Sequence, residues 1–113
     1  MADPLDFLPG TLDVLVLRTL AGQPMHGYGI TALIRRRTRG TLTIQDAALY
    51  QSLRRLEQRG WIESDWRITE NNRRARYYAL TERGTAELVS GEEAWRKYVE
   101  AVFAVLEPQV EAS

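Results

Sequence analysis

The sequence predicts a mainly α-helical fold with one small β-hairpin in its second half. Three observations support this prediction. Apolar residues recur at helical spacing in four segments. A stretch rich in β-forming residues lies between the third and fourth segments and is interrupted by Asn71-Asn72, a turn signal. The 113 residues include no cysteine, so packing alone must hold the interior of one compact domain with one additional element.

The first two predicted helices lie near the start of the chain. The first follows Pro9-Gly10-Thr11 and ends at Gly22, and its apolar residues fall on nearly every side. Because such a helix must be covered on both faces, we expect a second subunit to help cover it. The second helix is predicted over residues 28–37, with Ile30 and Ile34 on one face.

The third predicted helix, over residues 44–60, has the clearest pattern. Leu49, Leu53 and Leu56 form an apolar stripe, and the opposite face combines glutamine and arginine with a small residue near its start. Arginine can bond bidentately to guanine and glutamine to adenine, while a small residue lets the backbone approach the groove. This face is either an ordinary solvated surface or a DNA-reading one. The DNA-reading interpretation assigns contacts to Gln45, Ala47, Tyr50, Gln51, Arg54 and Arg55.

A β-hairpin is predicted directly after this helix. Residues 61–69 and 73–80 are rich in β-formers and flank the turn, next to which lie Arg73, Arg74 and Arg76. These arginines either protect the hairpin edge from aggregation or reach DNA phosphates and the minor groove. Three helices and a hairpin within about 75 residues have the order of a winged helix-turn-helix, which is the fold we predict.

The C-terminal part is predicted to be one long helix that joins two subunits. Thr81 can cap a helix that runs to about Glu107. Its apolar residues have the spacing of a coiled-coil seam: Leu88, Trp95, Val99, Val102 and Leu106. A solitary helix with this stripe needs a partner, so we expect a homodimer with two recognition helices roughly 34 Å apart on palindromic DNA. The predicted domains are a winged helix-turn-helix at 8–83 and a dimerisation helix with its tail at 84–113.

The net charge of zero hides an uneven distribution. Residues 18–83 contain thirteen arginines and six acidic residues, a charge of +7, whereas residues 1–17 carry −3 and residues 84–113 carry −4. A basic centre between acidic ends indicates a polyanionic partner, which the motifs specify as double-stranded DNA. The start lacks the basic region of a signal peptide, and no apolar run approaches the roughly 20 residues that span a bilayer. We therefore expect a cytoplasmic protein with no membrane partner.

The sequence offers no pattern of an active site. It contains no nucleophile–base pair, no glycine-rich phosphate loop and no HExxH motif. His26 is the only histidine, and without cysteines or paired carboxylates nearby it is expected to be structural. We predict that the protein is not an enzyme and that it has no metal site and no cofactor.

Four motifs, in the same order, resemble the PadR family of bacterial transcriptional regulators. They are Gly10-Thr11-Leu12, His26-Gly27-Tyr28-Gly29-Ile30, the segment from Leu49 to Ile62, and the segment from Arg76 to Gly84. The resemblance covers about residues 8 to 84. It implies a winged-helix dimer joined through the C-terminal helix, usually a repressor that an effector releases. The short C-terminus is similar to that of the family's smaller subgroup.

The resemblance also implies a candidate effector site. In some small members, aromatic residues at the dimer interface line a cavity for flat hydrophobic compounds. Here Trp95, with Leu12, Leu15 and Val99, would take that part, unless Trp95 only fills the seam. Ala47 stands where members commonly have glycine, so the operator cannot be carried over. The alternative function is a winged helix that senses a ligand or docks a protein without recognising an operator.

Overall fold

The computed structural model describes residues 10–108, which form four α-helices and a three-stranded antiparallel sheet. In chain order these are α1 (Thr11–Gly22), β1 (Met25–His26), α2 (Gly27–Arg37), α3 (Asp46–Gln58), β2 (Ile62–Ile68), β3 (Arg74–Leu80) and α4 (Glu82–Leu106). The prediction of a mainly helical fold with a small hairpin is confirmed. The boundary predicted at residue 8 and the tail after residue 108 lie outside the described residues.

Local signals explain where the helices begin and end. Helix α3 begins after Gln45, which is extended at the N-cap position, and Gly60 turns the chain after its end with a φ of 76°, as the sequence predicts for both residues. The Gln45 side chain makes no capping hydrogen bond. Helix α4 begins as predicted, with the hydroxyl of Thr81 accepting a hydrogen bond from the Gly84 amide at 3.0 Å.

The core surrounds α1, which packs against α2, α3, α4 and β3. The stripe Leu49, Leu53 and Leu56 of α3 is buried in it, as predicted. Val16 and Leu17 of α1 are also fully buried within the subunit. Elements of the same chain thus cover most of α1, while Val14 and Leu15 stay half-buried. That a second subunit helps to cover this helix stays a prediction.

The sheet contains a strand that the sequence did not predict. Strand β1 has only two residues, too few for a periodic signal, and pairs with β3 through Met25 opposite Tyr78 and His26 opposite Tyr77. Strand β3 is therefore central, and β2 pairs with it on the other side in the order β1-β3-β2. Strands β2 and β3 form the hairpin of a winged helix, called the wing below.

Helix α4 joins the same packed unit through its first turns. Leu88 is 4% exposed and lies in the core, so it is not available to the dimer seam to which we assigned it. Gly91 continues the helix and packs against α1, where an added Cβ would lie 3.1 Å from Val14 Cγ2. The start of α4 is also tied to the end of α3, because the Thr81 hydroxyl donates to the Gly60 carbonyl at 2.7 Å.

Candidate nucleic-acid interface

A cleft of about 860 Å³ lies between α3 and the wing. It is lined by the start of α2, by one face of α3 and by both strands of the wing. Its basic residues are Arg54, Arg73, Arg74 and Arg76, and its aromatic residues are Tyr28, Tyr50, Trp66 and Tyr78. The cleft thus combines cations, which attract phosphates, with flat side chains.

Tyr28 and Tyr50, two of the three tyrosines that line the cleft, differ in exposure. Tyr28 is 79% exposed, whereas Tyr50 is half exposed and packs its phenol against Gly27. A Cβ at Gly27 would lie 3.1 Å from the Tyr50 oxygen, so a glycine is what allows α2 to begin this close to α3. Tyr50 is therefore a packing residue that keeps half of its surface open to solvent. Its contact with DNA stays a prediction.

The three arginines of the wing have different partners. The Arg74 guanidinium lies over the Trp66 ring, 4.9 Å from its centroid. Arg76 donates from Nε to Ser64 Oγ at 2.8 Å and from Nη2 to Glu57 Oε2 at 3.3 Å, which connects the wing to α3. Arg73 lies at the turn, and none of the ion pairs among residues 10–108 involves its side chain. Arg73 and Arg74 are thus the wing cations without a carboxylate partner in that range.

The polar face of α3 is exposed as predicted at Ala47, Gln51 and Arg54, and Gln45 is exposed just before it. Among these four residues, Arg54 lines the cleft and the other three do not. They lie on the outer surface of α3 and of its N-cap, so the structure places only part of the predicted α3 contacts beside the wing.

Arg55 requires a correction, because its guanidinium turns toward α1. It donates to Asp13 through Nη2 at 2.7 Å and through Nε at 3.2 Å, and Ser52 Oγ donates to the same carboxylate at 2.6 Å. The hydrogen bond that Arg55 donates to Asp13 raises the pKa of Arg55 above its usual value. Arg55 is therefore paired with a carboxylate and is not a free cation of the cleft.

Sequence reasoning missed the residues that hold the predicted ones in place. Asp13 lies 39 residues before Ser52, and Glu57 lies 19 residues before Arg76, so no local spacing signals either pair. Trp66 stands between Asp65 and Arg67, and the sequence marks it only as a β-former. The stacking of arginine on tryptophan is a contact that only the hairpin register creates.

His26 has the structural role expected of it. Its Nδ1 accepts a hydrogen bond from the Gly29 amide at 3.0 Å at the start of α2, and its ring meets Tyr77 edge-on with centroids 5.2 Å apart. Within residues 10–108, no group of three or more histidine, aspartate or glutamate side chains is placed to hold a metal ion.

A second, apolar groove of about 440 Å³ lies between α1 and α4. Of the four residues predicted to bind an effector, Trp95 and Leu15 line it. Leu12 is buried in the core, and Val99 is half-buried outside the groove lining, so the structure does not bring these two to the site. Tyr98, which we did not assign, stacks on Trp95 with ring centroids 5.5 Å apart and completes the lining.

The second half of α4 exposes large apolar side chains. Tyr98 is 51% exposed, Phe103 52%, Val105 84% and Leu106 67%, while Val102 is half-buried. Leu106 of the predicted seam is thus open, whereas Leu88 is not. Several large apolar side chains exposed together on one helix are typical of an interface.

The winged arrangement agrees with comparisons to known proteins. The model of the PadR-like family of transcriptional regulators matches residues 16–90. This chain belongs to that family. None of the helices within residues 10–108 is both long and apolar enough to cross a membrane.

Similar proteins with solved structures include PadR-like regulators from several bacteria. A transcriptional regulator from Clostridium thermocellum is 28% identical with a TM-score of 0.79, over 87% of this chain and 92% of that one. A PadR family transcriptional regulator from Eggerthella lenta is 30% identical with a TM-score of 0.74, over 88% and 85%. An uncharacterised protein from Lysinibacillus sphaericus is 29% identical over 90% of this chain and 94% of its own length. The PadR-like regulators therefore share the fold over nearly the whole chain.

Proposed function

We propose that this chain is a sequence-specific repressor that binds a palindromic operator as a homodimer and that a flat hydrophobic effector releases it. One observation carries the DNA-binding part. Arg54 of α3 and the wing residues Arg73 and Arg74 line the same cleft, although nineteen or more positions separate them in sequence. Three cations gathered along one cleft favour the binding of a polyanion such as the phosphate backbone of DNA.

In this proposal α3 enters the major groove and the wing contacts the adjacent backbone. The exposed Gln51 and Arg54 are the residues of α3 that we assign to bidentate base contacts, and each good contact of this kind discriminates against a wrong base by about 1–3 kcal/mol. Arg73 and Arg74 bind phosphates and position the protein without reading sequence. Trp66 supports Arg74 in this role by holding its guanidinium flat.

The homodimer rests on the second half of α4. Its exposed Phe103, Val105 and Leu106 lie beyond the part of α4 that packs on α1. A two-fold axis through this surface covers the apolar side chains of both copies and presents two α3 helices to one duplex. We accordingly assign residues 84–113 to dimerisation, although the first turns of α4 also complete the core of the subunit.

The effector site is proposed in the groove between α1 and α4. The stacked rings of Trp95 and Tyr98 offer a flat apolar wall, and Val14 and Leu15 close the opposite side. These side chains suit an aromatic ligand with few polar groups.

Salt dependence tests the DNA-binding proposal. Each phosphate contact contributes about −0.9 to the slope of log affinity against log salt, so replacing Arg73 and Arg74 by alanine should flatten the slope by about 1.8. Arg96, exposed on α4 outside the cleft, gives the matched control Arg96→Ala, which should leave the slope unchanged. An equal slope in all three proteins would contradict the assignment. Ligand binding without any binding to promoter DNA at low salt would favour the ligand-sensing alternative.

A further inference from the structure

Asp13 makes the side-chain hydrogen bonds between α1 and α3 within residues 10–108. Its side chain is 14% exposed and carries three contacts, one from Ser52 Oγ at 2.6 Å and two from Arg55 at 2.7 and 3.2 Å. Ser52 is fully buried, so its hydroxyl depends on Asp13 for a partner. Removing the carboxylate would leave that hydroxyl unpaired and Arg55 without a counter-ion.

The contact decides what Arg55 can do. Arg55 and Arg54 are neighbours on the helix that we propose to read DNA, and the Arg55 side chain keeps 45% of its surface exposed. Its length and exposure would let it reach a phosphate if it were free. A carboxylate that accepts from two guanidinium nitrogens fixes the direction of the side chain and neutralises its charge. Arg54, by contrast, takes part in none of the ion pairs of residues 10–108.

The other side of the same α1 turn borders the apolar groove. Thr11, Val14 and Leu15 line the groove, while Asp13 points to α3. Thr11 Oγ1 is buried and has no hydrogen-bond partner in the structure. Asp13 and Val14 are consecutive but contact neighbours on opposite sides of α1. Asp13 bonds to α3, and Val14 packs against Gly91 of α4.

We infer that Asp13 is a positioning residue for DNA recognition: it fixes α3 against α1 and withholds Arg55 from the phosphate backbone. The inference rests on the proposed DNA binding through α3. Asp13 would thus increase discrimination between DNA sequences without touching DNA. A free Arg55 would add a sequence-independent phosphate contact to every duplex, and Asp13 prevents that contact.

The test compares salt dependence on a duplex of mixed sequence for native protein and for the variants Asp13→Ala, Asp13→Asn, Arg55→Ala and the double variant Asp13→Ala/Arg55→Ala. Arg55→Ala alone should leave the slope unchanged, because the native Arg55 is bound to Asp13. Asp13→Ala should steepen the slope by about 0.9, an additional loss of affinity of about 3.5-fold between 50 and 200 mM salt. The double variant should return to the native slope.

Arg54→Ala separates the failure of this inference from the failure of the proposed function. It should flatten the slope by about 0.9, and a native slope for Arg54→Ala would count against DNA binding through α3 itself. With Arg54→Ala behaving as expected, a flatter slope for Arg55→Ala would overturn the inference, because native Arg55 would then contact DNA. An unchanged slope for Asp13→Ala would overturn it as well.

Thermal unfolding of each variant shows whether it folds. Should Asp13→Ala fail to fold, Asp13→Asn takes its place. It keeps the size of the side chain and one acceptor oxygen, which can serve Ser52, but it removes the negative charge and one of the two acceptors of Arg55. Asp13→Asn should also lower the ratio of affinities for enriched genomic fragments over mixed-sequence DNA, whereas a purely structural role would lower both affinities together. An unchanged ratio and slope for Asp13→Asn would overturn the inference.

Discussion

Replacing Gly84 by alanine should destabilise the fold strongly. A Cβ on Gly84 would overlap the carbonyl oxygen of Trp61 and would lie 3.1 Å from Leu80 Cδ2. The Trp61 carbonyl is backbone and cannot rotate away, and it already accepts a hydrogen bond from the Thr81 amide at 3.1 Å. The first turn of α4 must therefore move away from the turn that follows α3.

The expected cost has two parts. Forcing an extra methyl group into a packed site costs about 1–3 kcal/mol. Moving Gly84 also weakens the cap that its amide makes with Thr81, which is typically worth about 1 kcal/mol. The sum, about 2–4 kcal/mol, is a large share of the roughly 5–15 kcal/mol that stabilises a typical domain. For a domain of about 100 residues it corresponds to a fall in Tm of roughly 10–25 °C.

Thermal and urea unfolding followed by circular dichroism would measure this effect. Gly22→Ala is the matched control, because Gly22 ends α1 and an added Cβ there meets nothing within 4 Å. Alanine suits a helix better than glycine, so the control should be as stable as the native protein or slightly more stable. If Gly84→Ala unfolded at the same temperature as Gly22→Ala, the proposed overlap at Trp61 would be refuted.

Three further predictions follow from the surface of α4, the wing and the core. Phe103→Glu and Leu106→Glu should each shift the protein toward a monomer in light scattering, because a charge cannot be covered by an apolar partner face; a native mass for both would contradict the α4 dimer. Glu57→Gln should change the free energy of unfolding by less than about 1 kcal/mol but increase affinity for mixed-sequence DNA, as Arg76 loses its partly exposed ion pair. Burial raises the pKa of Tyr78 above 10.0, so folding favours its neutral form. The stabilisation from neutral Tyr78 should be fully present below pH 10 and should be lost as the pH rises above it. Tyr78→Phe should therefore remove part of the fall in stability that urea unfolding measures at alkaline pH.

Features set by residues close together in sequence were predictable. The stripe Leu49, Leu53 and Leu56 defines the buried side of α3, and Thr81 marks the start of α4, because both depend on spacings of seven residues or fewer. The hairpin follows from a run of β-formers around Asn72, which adopts a φ of 60° in the turn.

Features set by contacts between distant segments were not predictable. The two-residue strand β1 exists because Met25 and His26 meet β3, more than fifty residues later. Arg55 is charged and lies on the polar face of α3, as a base-reading arginine would. Only the packing of α1 beside α3 shows that Asp13 is its partner. Leu88 shares the spacing of the apolar seam with Leu106, but α1 covers the first and not the second. A single sequence states which residues share a face and not what that face meets.

The bond between Thr81 and Gly60 has a mechanical consequence. It joins the turn that follows α3 to the start of α4, so a displacement of α4 acts directly on the end of α3. With 25 residues, α4 is about 37 Å long. A tilt of roughly 5° at one end of such a rod moves the other end by about 3 Å, close to the rise of one base pair. In the proposed dimer, a small change in the crossing angle of the two α4 helices would therefore change the distance between the two α3 helices. The spacing of the operator half-sites that the protein can bind would change with it.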